Sequence, residues 1–378
     1  MKALIRTISL LAVLVILTAL VGCRESTGSP AETPAPTAGP ETTAAPFETF
    51  EPVPTGEPDD GEEEVTFINP QFENAVRNRL RLYSDIPVRV RDLRNVRAID
   101  LSDLMLADIR DIAMLKNLEE LSLASNSIED LSPLAGLTGL KKLDLSETGV
   151  TDISALSGLT ELKELDISRN PITDLSPLSG LTKLEKLDIG DYSSPEHTPP
   201  TDDLSPLASL TELRELTATA RDTAPLAGMT KMKLLVLSGS FTDLDGLKNM
   251  ADLRELKLTG SGGPLDLSAI AGLTSLRSLQ IQIFDAADIS PLAGLTGLTW
   301  LDLSSMPVTD LTALAGLTQL TDLTIYWTNI SDLTPLYGLT KLTYCNLCYN
   351  GLPTDEVRKL REALPGSIIF NEENDGIH

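Results

Sequence analysis

From Leu118 to Cys348 one pattern recurs about eleven times: L-x-x-L-x-L, a short polar turn, then T-D-L/I-S-P-L-x-G-L-T. The cleanest copies start at Leu118, Leu140, Leu162, Leu298 and Leu320, and two of them read LEELSLASNSIEDLSPLAGLTG and LKELDISRNPITDLSPLSGLTK. Neighbouring starts among these copies lie 22 residues apart, and a degenerate first copy starts at Val96. A fixed period of this length restricts the chain to stacked, repeating units. It points to a protein that offers a surface rather than one that runs a reaction.

In Leu162-Lys163-Glu164-Leu165-Asp166-Ile167 the apolar residues fall at positions 1, 4 and 6. Positions 4 and 6 share one face of a strand, while 3 and 5 point the other way. Ile172, Leu175, Leu178 and Leu181 then return the chain along the back. One copy buries too few apolar side chains to offset the entropy of ordering its own backbone, so a lone repeat does not fold. Stacked copies share one continuous core and a parallel sheet.

The predicted architecture is therefore an α/β solenoid. It is a leucine-rich-repeat horseshoe with a parallel β-sheet on its concave face and helical caps at both ends. About twelve copies occupy 96–352. Before them, within 66–95, Phe72, Val76 and Leu80 have helical spacing after Pro70. After them, in 353–378, Thr354 is placed to be a helix N-cap, Val357, Leu360 and Leu364 form an apolar stripe, and Pro365-Gly366 ends it.

These repeats resemble the internalin-type, 22-residue class of bacterial leucine-rich-repeat proteins, over about four fifths of the chain. The resemblance implies binding of other proteins on the concave sheet face, with no cofactor. It departs from the pathogen adhesins of that class: no immunoglobulin-like module and no cell-wall sorting motif is recognised after the repeats.

The first 23 residues read as a lipoprotein signal peptide. Lys2 and Arg6 supply the positive start, Ile8 to Leu20 the apolar stretch, and Leu20-Val21-Gly22-Cys23 a lipobox-like processing site. Cys23 would carry the lipid and hold the protein at a bacterial membrane, outside the cytoplasm; the two or three acyl chains implied by the resemblance make that hold stable. Residues 24–65 are rich in Pro, Thr, Ala and Glu, with too few aliphatics to order themselves, and read as an extended tether.

The formal charge is −25. Such an acidic surface opposes nucleic acid and close contact with anionic lipid, and suits basic partners or simple solubility. Two histidines, His197 and His378, leave little for His-dependent triads or His-rich metal sites. No phosphate-binding loop and no H-E-x-x-H occurs. Cys345 and Cys348 form a C-x-x-C, but Cys345 replaces the inward Leu of position 4, which favours core filling over redox or zinc chemistry. Asp108, Asp130, Asp152, Asp174, Asp203, Asp243, Asp266, Asp288, Asp310 and Asp332 hold one slot of successive copies. They read as turn caps; a calcium ladder is the sharper alternative. The copy from Leu184 carries seven extra residues within Asp191–Thr201, with Tyr192 and His197 at its tip, and the copy from Leu213 is three residues short, with Ala218 in a slot for a larger residue.

Outward positions 3, 5, 7 and 8 build the sheet face. In the N-terminal half Glu120, Lys142, Glu164 and Lys186 alternate at position 3, beside Asp100, Asp144, Asp166 and Asp188 at position 5. The C-terminal end is different. Trp300, Tyr326, Trp327, Tyr344 and Tyr349 fall on one side of three adjacent copies, with Ile283 before them. Exposed Trp and Tyr are enriched at binding hot spots. One expectation is a protein or peptide partner anchored on Trp300 and Trp327. The alternatives are a glycan stacked on the rings, with Asp302, Asp322 and Asn346 for its hydroxyls, and a passive envelope scaffold with no single hot spot.

Overall fold

The computed structural model describes residues 63–190, 202–260, 263–282 and 284–371. The readings made for Cys23, for most of the tether, for the Asp191–Thr201 insertion and for Ile283 lie outside these residues.

Helix α1, Pro70–Leu80, occupies the stretch spaced for it. Pro70 opens it, the Asn69 side chain accepts from the N–H groups of Gln71 and Phe72, and Phe72 and Val76 face the core. A short helix α2, Val90–Leu93, follows. A feature absent from the sequence reading ties this cap down: Asp111, buried in the first repeat, accepts from the backbone N–H groups of Ile68 at 2.9 Å and Asn69 at 2.8 Å.

Thirteen strands then form one open, all-parallel sheet in strict chain order. The first five are β1 Ala98–Asp100, β2 Glu120–Ser122, β3 Lys142–Asp144, β4 Glu164–Asp166 and β5 Lys186–Asp188. Next come β6 Glu215–Ala220, β7 Leu234–Gly239, β8 Glu255–Gly260 and β9 Ser278–Gln282. The last four are β10 Trp300–Asp302, β11 Asp322–Thr324, β12 Tyr344–Asn346 and β13 Ile368–Phe370. Single 3-10 turns such as Ser132–Leu134 and Ser176–Leu178 run along the back, where the repeated S-P-L places Pro at the first or second position of the turn. Position 4 of every copy points inward with positions 1 and 6, and their leucines fill one unbroken core.

The Asp column caps those back turns. All ten carboxylates accept from the N–H two residues on, as in Asp130 with Ser132 at 2.7 Å and Asp174 with Ser176 at 2.8 Å. A second polar device was not foreseen. Asn126, Asn170 and Asn350, at position 9, reach across to the neighbouring copy. Asn170 Oδ1 accepts from the N–H groups of Thr148, Gly149 and Val150 and from Thr148 Oγ1, while its Nδ2 donates to the carbonyls of Leu145, Ile167 and Ser168.

From the shortened copy at Leu213 onward, through β9, the strands lengthen. In β1 to β5 and β10 to β13 the strand is three residues long; in β9 it is five, and in β6, β7 and β8 six. Ala218 and Ala220 are both buried, and Phe241 and Phe284 stack tilted at 5.2 Å nearby in the chain order of these copies. Gly260 is needed there, because a Cβ at that position would overlap the Phe284 ring.

At the C-terminal end helix α3, Thr354–Ala363, buries Val357 and Leu360. Thr354 is its first residue and Pro353 stands in the cap position, one step earlier than the N-cap expected from the sequence. Strand β13, which the sequence reading lacks, then pairs in parallel with β12. Its Ile369 carbonyl accepts from the Arg361 guanidinium at 3.3 Å, which blunts the outer edge of the sheet.

Candidate functional site

The copy register fixes which side chains meet on the sheet face. Across the parallel strands Trp300 aligns with Asp322, Asp322 with Tyr344 and Tyr344 with Ile368. The next outward row runs Asp302, Thr324, Asn346 and Phe370. Strand β13 therefore extends the aromatic end by two apolar residues: Ile368 is 52% exposed and Phe370 37%. Their signal was present in the Ile-Ile-Phe run, but its position after a helix hid it from a reading based on the period.

Two ring pairs organise the patch. Tyr344 and Phe370 lie 5.4 Å apart between centroids, and Tyr326 and Tyr349 5.0 Å apart. Trp327 remains 40% exposed, Tyr344 36% and Tyr349 45%; Trp300 and Tyr326 are half-buried. Position 8 takes a left-handed backbone, with φ of 54° at Ser125, 60° at Ser305, 53° at Trp327 and 59° at Tyr349. Small polar residues adopt that conformation at low cost, whereas bulky ones are uncommon there. Two large aromatics are thus held where the backbone least favours them.

The polar residues proposed for this end do not behave alike. Asp302 is buried at 8% exposure, where its carboxylate accepts from the Ser304 N–H at 2.9 Å, from the Ser304 hydroxyl and from Gln282 Nε2 at 2.7 Å. Burial pushes its carboxyl above the usual range, and those donors pull it back in part. Asp302 closes the end of its strand and is not offered to a ligand, because its lone pairs already point at the protein's own donors. Asn346 does the same for the Cys348 N–H. The set Asp302, Asp322 and Asn346 read as sugar contacts therefore reduces to Asp322, which is half-exposed and accepts from Thr321 Oγ1 at 2.7 Å.

The N-terminal half of the face is wired by ion pairs between copies. Lys142 meets Glu164 at 3.1 Å and Lys186 meets Glu215 at 3.5 Å along the position-3 row. Asp144, Asp166 and Asp188 each accept from an N–H two residues on, and burial raises the Asp166 carboxyl. Among the described residues no group of three or more His, Cys, Asp and Glu is placed to hold a metal ion. Cys345 and Cys348 are buried and not joined in a disulfide, and burial pushes the Cys345 thiol up to about 12, far from a reactive thiolate.

Fold and face together define a leucine-rich-repeat protein with a structured sheet surface. A family model described as leucine rich repeats (2 copies) matches 116–158, 138–180 and 160–195. An internalin (inlF) from Listeria monocytogenes str. 4b F2365 is 31% identical with a TM-score of 0.73, the match covering 80% of this chain and 88% of that one. The chain belongs to the internalin-type leucine-rich-repeat proteins. No curated protein matches it. Two more distant likenesses show the fold alone. One is the ectodomain of the receptor kinase GASSHO1/SCHENGEN3 from Arabidopsis thaliana, in complex with Casparian strip integrity factor 2. It is 20% identical with a TM-score of 0.53, covering 74% of this chain and 42% of that one. The other is a TLR13–ssRNA13 complex, 20% identical with a TM-score of 0.53, covering 69% and 41%. Among the described residues no helix is long and apolar enough to cross a membrane.

Proposed function

We propose that this chain is a non-catalytic display module of a bacterial cell envelope that binds a protein or peptide on the C-terminal end of its sheet face. The observation that carries the reading is the patch itself. Trp300, Tyr344, Ile368 and Phe370 lie on strands β10, β12 and β13, and Trp327 and Tyr349 in the turns that follow β11 and β12, both in left-handed backbone. Large apolar surface kept wet at a conformational cost marks a binding face. The chemistry-bearing groups support the absence of catalysis, since the Asp columns cap turns and Cys345 fills the core.

In this reading Cys23 carries the lipid anchor and residues 24–65 hold the solenoid off the membrane by roughly 35–40 Å if flexible. The acidic surface opposes nucleic acid as a ligand. The test is capture of envelope and host proteins by a soluble chain without the lipidated Cys23, residues 24–378, beside a Trp300→Ala/Trp327→Ala variant whose circular dichroism matches wild type. A partner retained by wild type and lost by the variant supports the patch. Equal retention by both removes it as the binding site.

A further inference from the structure

Resting on the reading of the patch above, we propose that Asp322, with Trp300 and Tyr344 on either side of it, is the seat for an Arg or Lys side chain of the partner. The position-3 row shows why. Farther toward the N-terminus two acids on this row, Glu164 and Glu215, are answered from within the protein by Lys142 and Lys186, while Glu120 at the start of the row has no ion pair among the described residues. Glu255 is answered by Lys257 two residues along its own strand, at 2.8 Å. At the aromatic end the same row reads Trp300, Asp322, Tyr344, Ile368, and the answering cation is missing.

Among the described residues no Lys or Arg pairs with Asp322; its partner is the neutral Thr321 hydroxyl. From Ser278 onward, positions 3, 5, 7 and 8 of the copies contain no basic residue at all. Asp302, the other acid of this end, is buried and committed to Ser304 and Gln282. A single open carboxylate thus stands in an apolar, aromatic surround, where a buried contact would leave it costly without a counter-charge.

The spacing suits one occupant chemistry. Adjacent strands lie about 4.8 Å apart, so the backbones bearing Trp300 and Tyr344 are separated by about 9.6 Å, with Asp322 midway. A guanidinium or an ammonium stem entering there lies between Trp300 and Tyr344, beside the Asp322 carboxylate. Cation–π attraction and a charge-assisted hydrogen bond then act on the same group. A neutral ligand gains the stacking and leaves the carboxylate desolvated.

The experiment replaces both tryptophans of the full chain with 5-fluorotryptophan and follows their two 19F lines, assigned with Trp327→Phe. The probes are the extended peptide acetyl-Ser-Leu-Ser-Arg-Ser-Leu-Ser-amide and its counterpart with citrulline, the neutral isostere of arginine. The expected result is a saturable shift of the Trp300 line with an apparent Kd at least tenfold lower for the Arg peptide. In Asp322→Asn, with unchanged circular dichroism, that preference disappears. Equal binding of both peptides, unaltered in Asp322→Asn, overturns the cation seat while leaving the patch as a binding surface. Silence of both lines with both peptides overturns the seat as well, and the double-alanine capture experiment then reads the patch independently.

Discussion

At the scale of single residues, the side chains that matter most for the fold are polar ones in fixed slots. Asn170 takes part in seven hydrogen bonds, five of which join its copy to the one before. Truncation leaves several buried donors and acceptors without partners, so Asn170→Ala is expected to lower stability by about 3 kcal/mol or more in urea denaturation. Asp302 stands at the opposite pole. Its folded carboxyl is raised by burial, so its ionised form costs stability, and that cost grows as pH rises through the unfolded value of about 3.9 and past the raised folded one. Asn346 already serves the equivalent turn as an amide. Asp302→Asn is therefore expected to hold or raise the melting temperature at pH 7, with the advantage vanishing in scans below pH 4. Trp327→Asn should relieve the left-handed backbone and gain about 0.5–1 kcal/mol in stability, while weakening partner capture. A loss of stability in that variant would mean the ring contributes more by packing than its backbone position costs.

At the scale of elements, the turn and not the strand is the repeated investment. Strands of three residues are held in register because a carboxylate closes the back turn of each copy and, in most copies with such strands, an Asn or Asp closes the front one. In Asp108 the Arg110 guanidinium, and in Asp130, Asp152, Asp203, Asp288, Asp310 and Asp332 the hydroxyl and N–H two residues on, hold the carboxyl below its usual range. A depressed folded value stabilises the protein above the unfolded value and is lost as pH falls through the folded one. The urea midpoint should thus stay level from pH 7 to about 5 and drop below about 4, as the column protonates. A midpoint already falling between pH 7 and 6 would contradict this account. The sequence made this column visible, since ten Asp residues recur at one slot. It left the Asn slot unread, because Asn126, Asn170 and Asn350 alternate there with Thr148, Met306 and Thr328 and so break the period.

At the scale of the whole molecule, a stack is only as stable as its ends. The C-terminal cap buries Val357, Leu360, Leu364 and Ile369, about 6–12 kcal/mol of gross apolar burial, and covers the edge of β12 with a further strand. Deleting 353–378 exposes that edge and the last copy's leucines together. The expected outcome is loss of the monodisperse peak in size-exclusion chromatography, with material moving to the void volume. A variant that stays monodisperse would show that the repeats end in a self-sufficient copy. The same cap completes the candidate site, because Ile368 and Phe370 belong to its strand.

The repeat period determined most of this molecule without help: where each copy starts, which leucines face inward, which residues share the outer rows, and which end of the face is aromatic. Those properties follow from local periodicity, since a strand alternates faces and a stack preserves register. Tertiary structure decided what periodicity cannot encode. It added β13 after a helix, lengthened the strands of the middle copies, and sorted two acids alike in sequence into opposite roles. Asp302 and Asp322 both lie on outward rows, yet one is covered and bonded while the other stays open. The difference comes from their neighbours across strands, Gln282 in one case and two aromatic rings in the other, and those neighbours are 20 to 22 residues away in the chain.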